Sequence, residues 1–157
     1  PNKPIKRSAE LAPLSRDHHE GLLLGWKLRQ GMKRGVEAQR MAPFVKWFWQ
    51  LHLVPHFGKE ETFLPPVLPD SHPLMQQMLA EHNDIQQKVA RISDSSTYDD
   101  FEALAETVNQ HIRFEERVLF NEVEKAATPE QLQQLSQQLT DDKVEDVWED
   151  VFWMDKK

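Results

Sequence analysis

The 157-residue sequence contains no cysteine. This absence excludes disulfide bonds, thiolate catalysis, cysteine zinc fingers and iron–sulfur clusters. Tyrosine is almost missing as well, since Tyr98 is the only one. A chain of this length fits one domain that buries a sizeable apolar core and needs no covalent cross-link. A cytoplasmic location is the default expectation for such a chain.

Acidic side chains outnumber basic ones in this sequence. It has 19 Lys and Arg against 26 Asp and Glu, for a net charge of −7. An acidic protein repels phosphate backbones and anionic membrane surfaces, so neither nucleic acid nor membrane is an expected partner. The longest apolar stretch, Phe44 to Phe57, is interrupted by Lys46, Gln50 and His52 and is too short to span a bilayer. Residues 1–7 are basic without a following apolar segment, which predicts no signal peptide.

Apolar residues recur with helical spacing along most of the chain, and no segment alternates as a strand would. We therefore predict an all-α protein. Four long helices joined by short loops become antiparallel neighbours, which predicts an up-down-up-down four-helix bundle. We divide the chain into a bundle over residues 1–126 and a C-terminal amphipathic helical extension, packed on the bundle, over residues 127–157.

Capping residues and prolines set the expected helix boundaries. The first helix should begin near Ser15, and the second at Pro43 with a distortion at Pro55. The Thr128–Gln131 segment has the pattern of a capping box with proline in the first helical position. The expected helices run from Ser15 to about Gly31–Gly35, from Pro43 to about Leu64, from Ser71 or Pro73 to Ile92, from Asp99 to about Val123, from Thr128 to Leu139, and from Val144 to Trp153.

The sequence contains a two-part internal repeat. Leu14–His18 aligns with Met78–His82, and both segments read apolar, x, x, acid, His. His56–Leu64 aligns with His111–Leu119, and both read His, apolar, x, x, Glu, Glu, x, apolar, Leu. The chain therefore consists of two helix pairs of one design, with a lone histidine in the first helix and a His-xxx-Glu pair in the second.

The His-xxx-Glu spacing brings an imidazole and a carboxylate together, because residues i and i+4 differ by about 40° around a helix. Nitrogen and oxygen ligands without sulfur suit iron, manganese, zinc or copper. Two carboxylates that bridge two ions, with two histidines on each ion, would complete a di-metal site. The following glutamates, Glu61 and Glu116, should point sideways or outward and support a ligand or contact solvent. The predicted metal ligands are His18, His56, Glu60, His82, His111 and Glu115.

A single His-xxx-Glu pair is more often an exposed ion pair, and a histidine on an apolar stripe is more often a core residue. The repetition favours metal binding over both interpretations. The alignment with His82 selects His18 rather than its neighbour His19. We expect His52 and His72 not to be ligands, although contact of His19 or His52 with metal stays open.

These motifs resemble the hemerythrin-like (HHE cation-binding) family, and the resemblance covers about residues 11 to 125. It implies an oxo-bridged di-iron centre in a four-helix bundle, held by the six residues above, although other divalent metals stay open. Such centres bind or sense dioxygen or nitric oxide, take part in iron handling, or support repair of iron sites. The oxygen carriers of this family have a fifth histidine one turn from the position of His82. Here Met78 and Gln86 occupy those positions, which favours a centre with more open coordination.

Two functions follow as hypotheses. The first is a non-enzymatic protein that binds or senses a diatomic gas or takes part in iron handling. The second is a di-iron enzyme, either an oxidase, a peroxidase-like enzyme or one that processes nitric oxide. An enzyme needs a proton donor or tyrosine beside the metals, whereas Tyr98 is expected in a loop. The sequence has no DNA-binding motif, so a sensor would act through a protein partner, and a homodimer also stays open.

Two rival classes fit the sequence less well. Ferritin-like carboxylate proteins use Glu-xx-His. The residues three positions before the candidate histidines are not acidic; they are Ser15, Leu53, Leu79 and Val108. A metal-free interaction bundle would explain the aromatic residues of the second helix and of the C-terminal tail, but not the paired motifs. We expect the tail to pack on the bundle rather than bind a partner.

Overall fold

The computed structural model describes residues 7–140 and 146–155. Within these ranges the protein is all-helical and has no strand. Two π-helical turns, Trp49–Leu53 and Glu115–Leu119, join neighbouring α-helices into longer continuous rods. The α-helices are α1 (Ala12–Lys33), α2 (Ala38–Phe48), α3 (Val54–Phe63), α4 (Pro73–Arg91), α5 (Tyr98–Phe114), α6 (Phe120–Ala126) and α7 (Pro129–Gln138).

Helix α1 begins three residues before the predicted start. Ser15 does not cap it; its hydroxyl instead donates a hydrogen bond to Glu116 Oε2 over 2.9 Å. The helix ends at Lys33, close to the predicted end. Gly35 follows with a φ of 75°, a left-handed conformation that glycine adopts without steric cost. The chain can therefore turn sharply into α2.

The prediction that the second helix begins at Pro43 was wrong. Helix α2 begins at Ala38, and Pro43 lies inside it. The buried side chains of Met41, Val45 and Phe48 extend the apolar face across the proline. Pro43 itself is exposed, so the carbonyl that lacks its hydrogen bond can be hydrated. The distortion expected at Pro55 is a π-helical turn that ends two residues earlier, at Leu53.

Three later helices, α4, α5 and α7, begin at side chains that cap their backbone. His72 Nδ1 accepts a hydrogen bond from the Leu74 backbone N–H at the start of α4, as expected of a residue that precedes the helix. Thr97 and Asp100 form a capping box at α5. Thr128 and Gln131 form the capping box predicted for the last long helix. These local signals are short-range and could therefore be recognised in the sequence.

The buried apolar residues form two separate clusters. One contains Leu24 and Phe101, and the other contains Leu14 and Phe120. Along α1, for example, Leu14 belongs to one cluster and Leu24 to the other, with His18 between them. A polar layer therefore lies inside the helical core and has apolar packing on both sides.

The C-terminal tail differs from the predicted amphipathic helix. Residues 146–151 are not helical, and a single 3-10 turn, Phe152–Met154, follows them. Val144, the predicted start of the helix, lies outside the described residues. Val147 and Val151, expected on the apolar face, are 73% and 43% exposed. The acidic residues are used instead: Asp150 and Asp155 both pair with Arg40. Ion pairs and one deeply buried ring therefore replace a continuous apolar stripe.

The buried ring of the tail belongs to Phe152, which has no solvent exposure. It packs edge-on against Phe44, with ring centroids 5.4 Å apart. Gly31 of α1 makes room for it, because a methyl group at Gly31 would lie 2.9 Å from Phe152 Cδ1 and 2.7 Å from Met41 Sδ. The absence of a side chain at Gly31 thus permits the tail to dock.

None of the helices in the described parts of the chain combines the length and apolarity that a bilayer crossing requires.

The close approach of Gly31 and Phe152 predicts a coupled effect on stability. Replacing Phe152→Ala should lower the free energy of unfolding by about 3–5 kcal/mol, through lost burial and a residual cavity. Replacing Gly31→Ala should cost about 1–3 kcal/mol by overpacking, and less in the Phe152→Ala background. Urea denaturation of the four proteins measures this coupling. Val147→Ala is the control and should be neutral; additive costs would contradict the contact.

Candidate metal centre

The polar layer between the two apolar clusters consists of six side chains from four parts of the fold. Helix α1 supplies one, α3 supplies a histidine and a glutamate, α4 supplies one, and the α5 rod supplies the last two. All six are at most 5% exposed, and both glutamates are completely buried. They are the six predicted ligands, His18, His56, Glu60, His82, His111 and Glu115.

The four imidazoles direct the same atom, Nε2, toward the two carboxylates. His18 Nε2 lies 2.8 Å from Glu115 Oε1, and His111 Nε2 lies 3.3 Å from the same oxygen. His82 Nε2 and His56 Nε2 lie 3.1 and 3.3 Å from Glu60 Oε1. Ligand atoms about 2.0–2.2 Å from one ion and at right angles would be about 3 Å apart. The spacing of these donors therefore suits direct metal coordination.

The six side chains divide into two groups of four, and each group could hold one metal ion. One group contains His18 and His56, and the other contains His82 and His111. Glu60 and Glu115 belong to both groups. Within each group the ligand atoms lie within 4.8 Å of one another. This arrangement provides two adjacent positions for metal ions, and the two positions share both carboxylates.

Several of these donor atoms make no hydrogen bond within the protein, although some lie in ion-pair distance of a carboxylate. His56 Nε2, His111 Nε2, Glu60 Oε2 and Glu115 Oε2 are buried and make no hydrogen bond. Buried polar atoms in folded proteins are normally satisfied, and each exception calls for an explanation such as a bound ion. Four such atoms converge on one layer, and all are good ligands for a borderline metal. The residues present therefore fit a metal pair.

The second ring nitrogen of each imidazole, Nδ1, lies within hydrogen-bond distance of another carboxylate. His18 Nδ1 lies 3.1 Å from Glu116, and His82 Nδ1 lies 2.7 Å from Glu61. This outer hydrogen bond places the proton on Nδ1 and leaves the Nε2 lone pair free for a metal. The other two such contacts are His56 Nδ1 to Asp17 over 3.1 Å and His111 Nδ1 to Glu81 over 2.7 Å.

The four outer carboxylates each follow or precede a ligand in sequence, yet each binds the histidine of another helix. Glu61 and Glu116 were expected to support a ligand or contact solvent, and both bind a histidine. The same role for Asp17 and Glu81 was missed. The signal was available, because the aligned segments Leu14–His18 and Met78–His82 both place an acid before the histidine.

The carboxylates change the proton affinity of the metal-free site. Burial opposes protonation of His82, but hydrogen bonds and charges from Glu115 and Glu60 outweigh it and raise its pKa to about 10. Burial likewise disfavours charge on His111, yet Glu115 and Glu81 raise its pKa to about 9. The pKa values of His18 and His56 are also raised, by the same kind of pairing against burial. Metal must therefore displace protons from this site near neutral pH.

A small, partly enclosed cavity of about 20 Å³ adjoins the site. Its walls include the predicted ligands His18, His56 and His111. The rest is mostly apolar and includes Phe48 and Val108. A volume of this size holds about one water-sized molecule. We call this space the inner cavity.

The other histidines lie outside both ligand groups. His19 is exposed, although it is next to His18 in sequence. His52 is half-buried and lines the inner cavity, where burial lowers its pKa. Met78 is completely buried in an apolar cluster, and Gln86 lines an outer groove beside His82. The ligand set of four histidines stays a prediction.

Comparison with known proteins identifies one family. The family model described as the hemerythrin HHE cation binding domain matches residues 9–123, a range that contains all six buried ligand candidates. No curated protein and no solved structure gives a significant match.

The raised pKa values of His82 and His111 predict a pH-dependent stability of the metal-free protein. Charged imidazoles paired with Glu60 and Glu115 stabilise the fold fully below the unfolded pKa of about 6.5, and this contribution is lost as the pH rises toward 9 and 10. We expect the free energy of unfolding to fall by at least about 2 kcal/mol between pH 7 and 9.5. Urea titrations at several pH values measure it.

The matched control for this experiment is Glu115→Gln, which removes the partner charge of the histidines and should flatten the pH profile. An equally steep profile in this variant would contradict the assignment of the pH dependence to the buried layer.

Proposed function

The chain belongs to the hemerythrin HHE cation-binding domain family, and we propose that it holds two metal ions, iron in the cell, at the centre of an up-down-up-down four-helix bundle. His18 and His56 would bind one ion, and His82 and His111 the other. Glu60 and Glu115 would bridge them. The observation that carries this proposal is the sharing of the two buried glutamates by both ligand groups.

Charge supports a pair of ions rather than one. Six carboxylates surround the four imidazoles, namely the two bridging candidates and the four outer partners. Isolated buried carboxylates are costly unless cations compensate them. Two ions placed between Glu60 and Glu115 would supply that charge where both carboxylate groups converge.

When bound, a pair of irons would supply a redox-active centre with affinity for dioxygen or nitric oxide. We propose that this protein binds or senses such a gas, and the inner cavity supports that choice. Its volume of about 20 Å³ suits a molecule of about the size of water, such as a diatomic gas. Its apolar walls, such as Phe48 and Val108, suit a ligand that carries no charge.

The structure offers less support for the enzyme hypothesis. Tyr98 is the first residue of α5 and not, as predicted, a loop residue. Its hydroxyl donates a hydrogen bond to the Val36 carbonyl over 2.6 Å, and Tyr98 does not line the inner cavity. Among the described residues that line this cavity, only His52 is titratable apart from predicted ligands and the outer carboxylate Asp17. Burial lowers the pKa of His52, so its neutral form predominates near pH 7 and is a weak acid. A role in iron handling is compatible with the same ligands.

The proposed function is tested by loading the protein with iron and titrating it anaerobically with nitric oxide and, separately, with dioxygen. Absorption spectra should change with saturable binding. Turnover assays with peroxide and nitric oxide on the same sample separate a binder from an enzyme. Catalytic turnover well above that of free iron would establish the enzyme instead, and absence of gas binding would refute the proposal.

Metal stoichiometry gives a sharp prediction about the bridging residues. Glu60→Ala or Glu115→Ala should lose both ions, because each glutamate serves both groups. His18→Ala removes a ligand of one group alone and should weaken one ion more than the other. Elemental analysis after gel filtration measures the retained metal. The control is His19→Ala, an exposed neighbour that should retain the wild-type content; full retention in both glutamate variants would refute bridging.

The outer carboxylates predict a graded effect on affinity. Asp17→Asn and Glu81→Gln replace the charged partners of His56 and His111 while keeping their size. Loss of such a partner costs about 10–100-fold in metal affinity. Competition with a chelator measures the change. Asp84→Asn is the matched control, because Asp84 pairs with Lys88 on the exposed surface of α4; equal affinities in all four proteins would contradict the role.

A further inference from the structure

The inner cavity is close to a larger pocket on the protein surface. This second space, which we call the vestibule, has a volume of about 280 Å³. Its walls include Lys27 of α1 and, from the C-terminal tail, Trp148 and Trp153. Phe48 and His52 line both spaces. These two side chains therefore form the partition between the vestibule and the cavity beside the proposed metals.

The two partition residues form a stacked pair. The rings of Phe48 and His52 have centroids 4.7 Å apart and planes inclined by 18°. Phe48 is the last residue of α2, and His52 lies in the π-helical turn that follows. A π turn widens the helix locally and shifts the direction of its side chains, and such turns are frequent at functional sites. Here the turn places the His52 ring beside Phe48.

The two rings differ in how firmly they are held. Phe48 is 3% exposed and belongs to the larger apolar cluster. His52 is half-buried, and its second ring contact is an edge-on one with Trp47 at 5.5 Å. A partly exposed side chain changes rotamer on a much faster timescale than the backbone moves. His52 is therefore the member of the pair that can swing aside.

Contacts with the C-terminal tail hold the walls of the vestibule in place. Trp47 Nε1 donates a hydrogen bond to Asp146 Oδ2 over 3.0 Å, and the rings of Trp47 and Trp148 pack with centroids 5.6 Å apart and planes inclined by 46°. Lys27 Nζ lies 4.3 Å from the centre of the Trp153 ring, a cation–π contact. The vestibule thus has fixed aromatic walls, and the movable ring lies on its inner side.

A second boundary of the inner cavity is less suited to opening. Phe57 separates it from a groove beside α4. Phe57 is 5% exposed and stacks on His82 with centroids 3.8 Å apart. Moving this ring would disturb a predicted metal ligand, whereas His52 belongs to neither ligand group.

We propose that the His52 ring is a gate that controls the passage of a small uncharged gas between the vestibule and the inner cavity. The proposal rests on the gas-binding function proposed above. A gate determines how fast a ligand enters and leaves, so its removal should change the association and dissociation rate constants by a similar factor. His52 is in this view a residue that selects ligands by size and charge and does not itself bind metal.

The experiment compares His52→Ala with His52→Phe in the iron-loaded protein. Stopped-flow mixing with nitric oxide, and displacement of bound nitric oxide, give the association and dissociation rate constants. In His52→Ala both should rise together, by about tenfold, because the ring no longer blocks the passage. His52→Phe keeps a ring of similar size and should remain near the wild-type rates. Unchanged rates in His52→Ala, a change in affinity without a common change in both rates, or His52→Phe behaving like His52→Ala would overturn the gate.

A second measurement does not depend on iron chemistry. In zinc-loaded protein under dioxygen pressure, relaxation-dispersion measurements on methyl protons report how fast dioxygen exchanges between solvent and the inner cavity. His52→Ala should raise this exchange rate, and so change the relaxation, at Ile85 and Val108, which line the cavity, and not at Val123 in the other cluster. If wild-type iron protein binds no gas but this relaxation change is seen, the proposed function fails while the passage stands. If gas binds and the relaxation is unchanged, the gate alone fails.

Discussion

The burial of two carboxylates next to each other is the constraint on which the structure depends. Glu60 and Glu115 have no solvent exposure, and their ligand atoms lie within 4.8 Å of those of four imidazoles. In a low-dielectric interior such charges must be compensated. In the metal-free protein, raised histidine pKa values provide compensation through protons, and in the proposed holoprotein two cations would replace those protons. The same layer that could bind metal therefore couples metal binding to folding and to pH.

The internal repeat extends to the acidic residues that hydrogen-bond the four histidines of the buried layer. Acids adjacent to ligands in sequence bind histidines of other helices, so that Asp17 holds His56 and Glu81 holds His111. Each ligand helix is thus tied to another by a polar contact as well as by apolar packing. A hydrogen bond to Nδ1 fixes the orientation of each histidine before metal binds. This preorganisation lowers the free-energy cost of bringing six side chains around the metal ions. The apolar clusters on both sides limit access of water to the layer.

The sequence predicted the buried layer of histidines and glutamates better than the details around it. The two aligned segments were sufficient to identify six buried residues, because the His-xxx-Glu spacing and the repeat both follow from helix geometry. The cross-helix partners of Asp17 and Glu81 depend on packing between helices and could not be read from spacing alone. The start of α2 and the shape of the tail were also misjudged. In both cases tertiary contacts determined the structure. Helix α2 begins earlier because its apolar face continues past the exposed Pro43, and the tail follows the contact of Phe152 with Gly31.

The central claim is that this layer holds two metal ions bridged by Glu60 and Glu115. Anomalous X-ray diffraction from crystals of the iron-loaded protein, collected on both sides of the iron absorption edge, tests it most directly. We expect two anomalous peaks, one beside His18 and His56 and one beside His82 and His111, with both glutamates between them. A single peak, or peaks elsewhere on the protein, would contradict it.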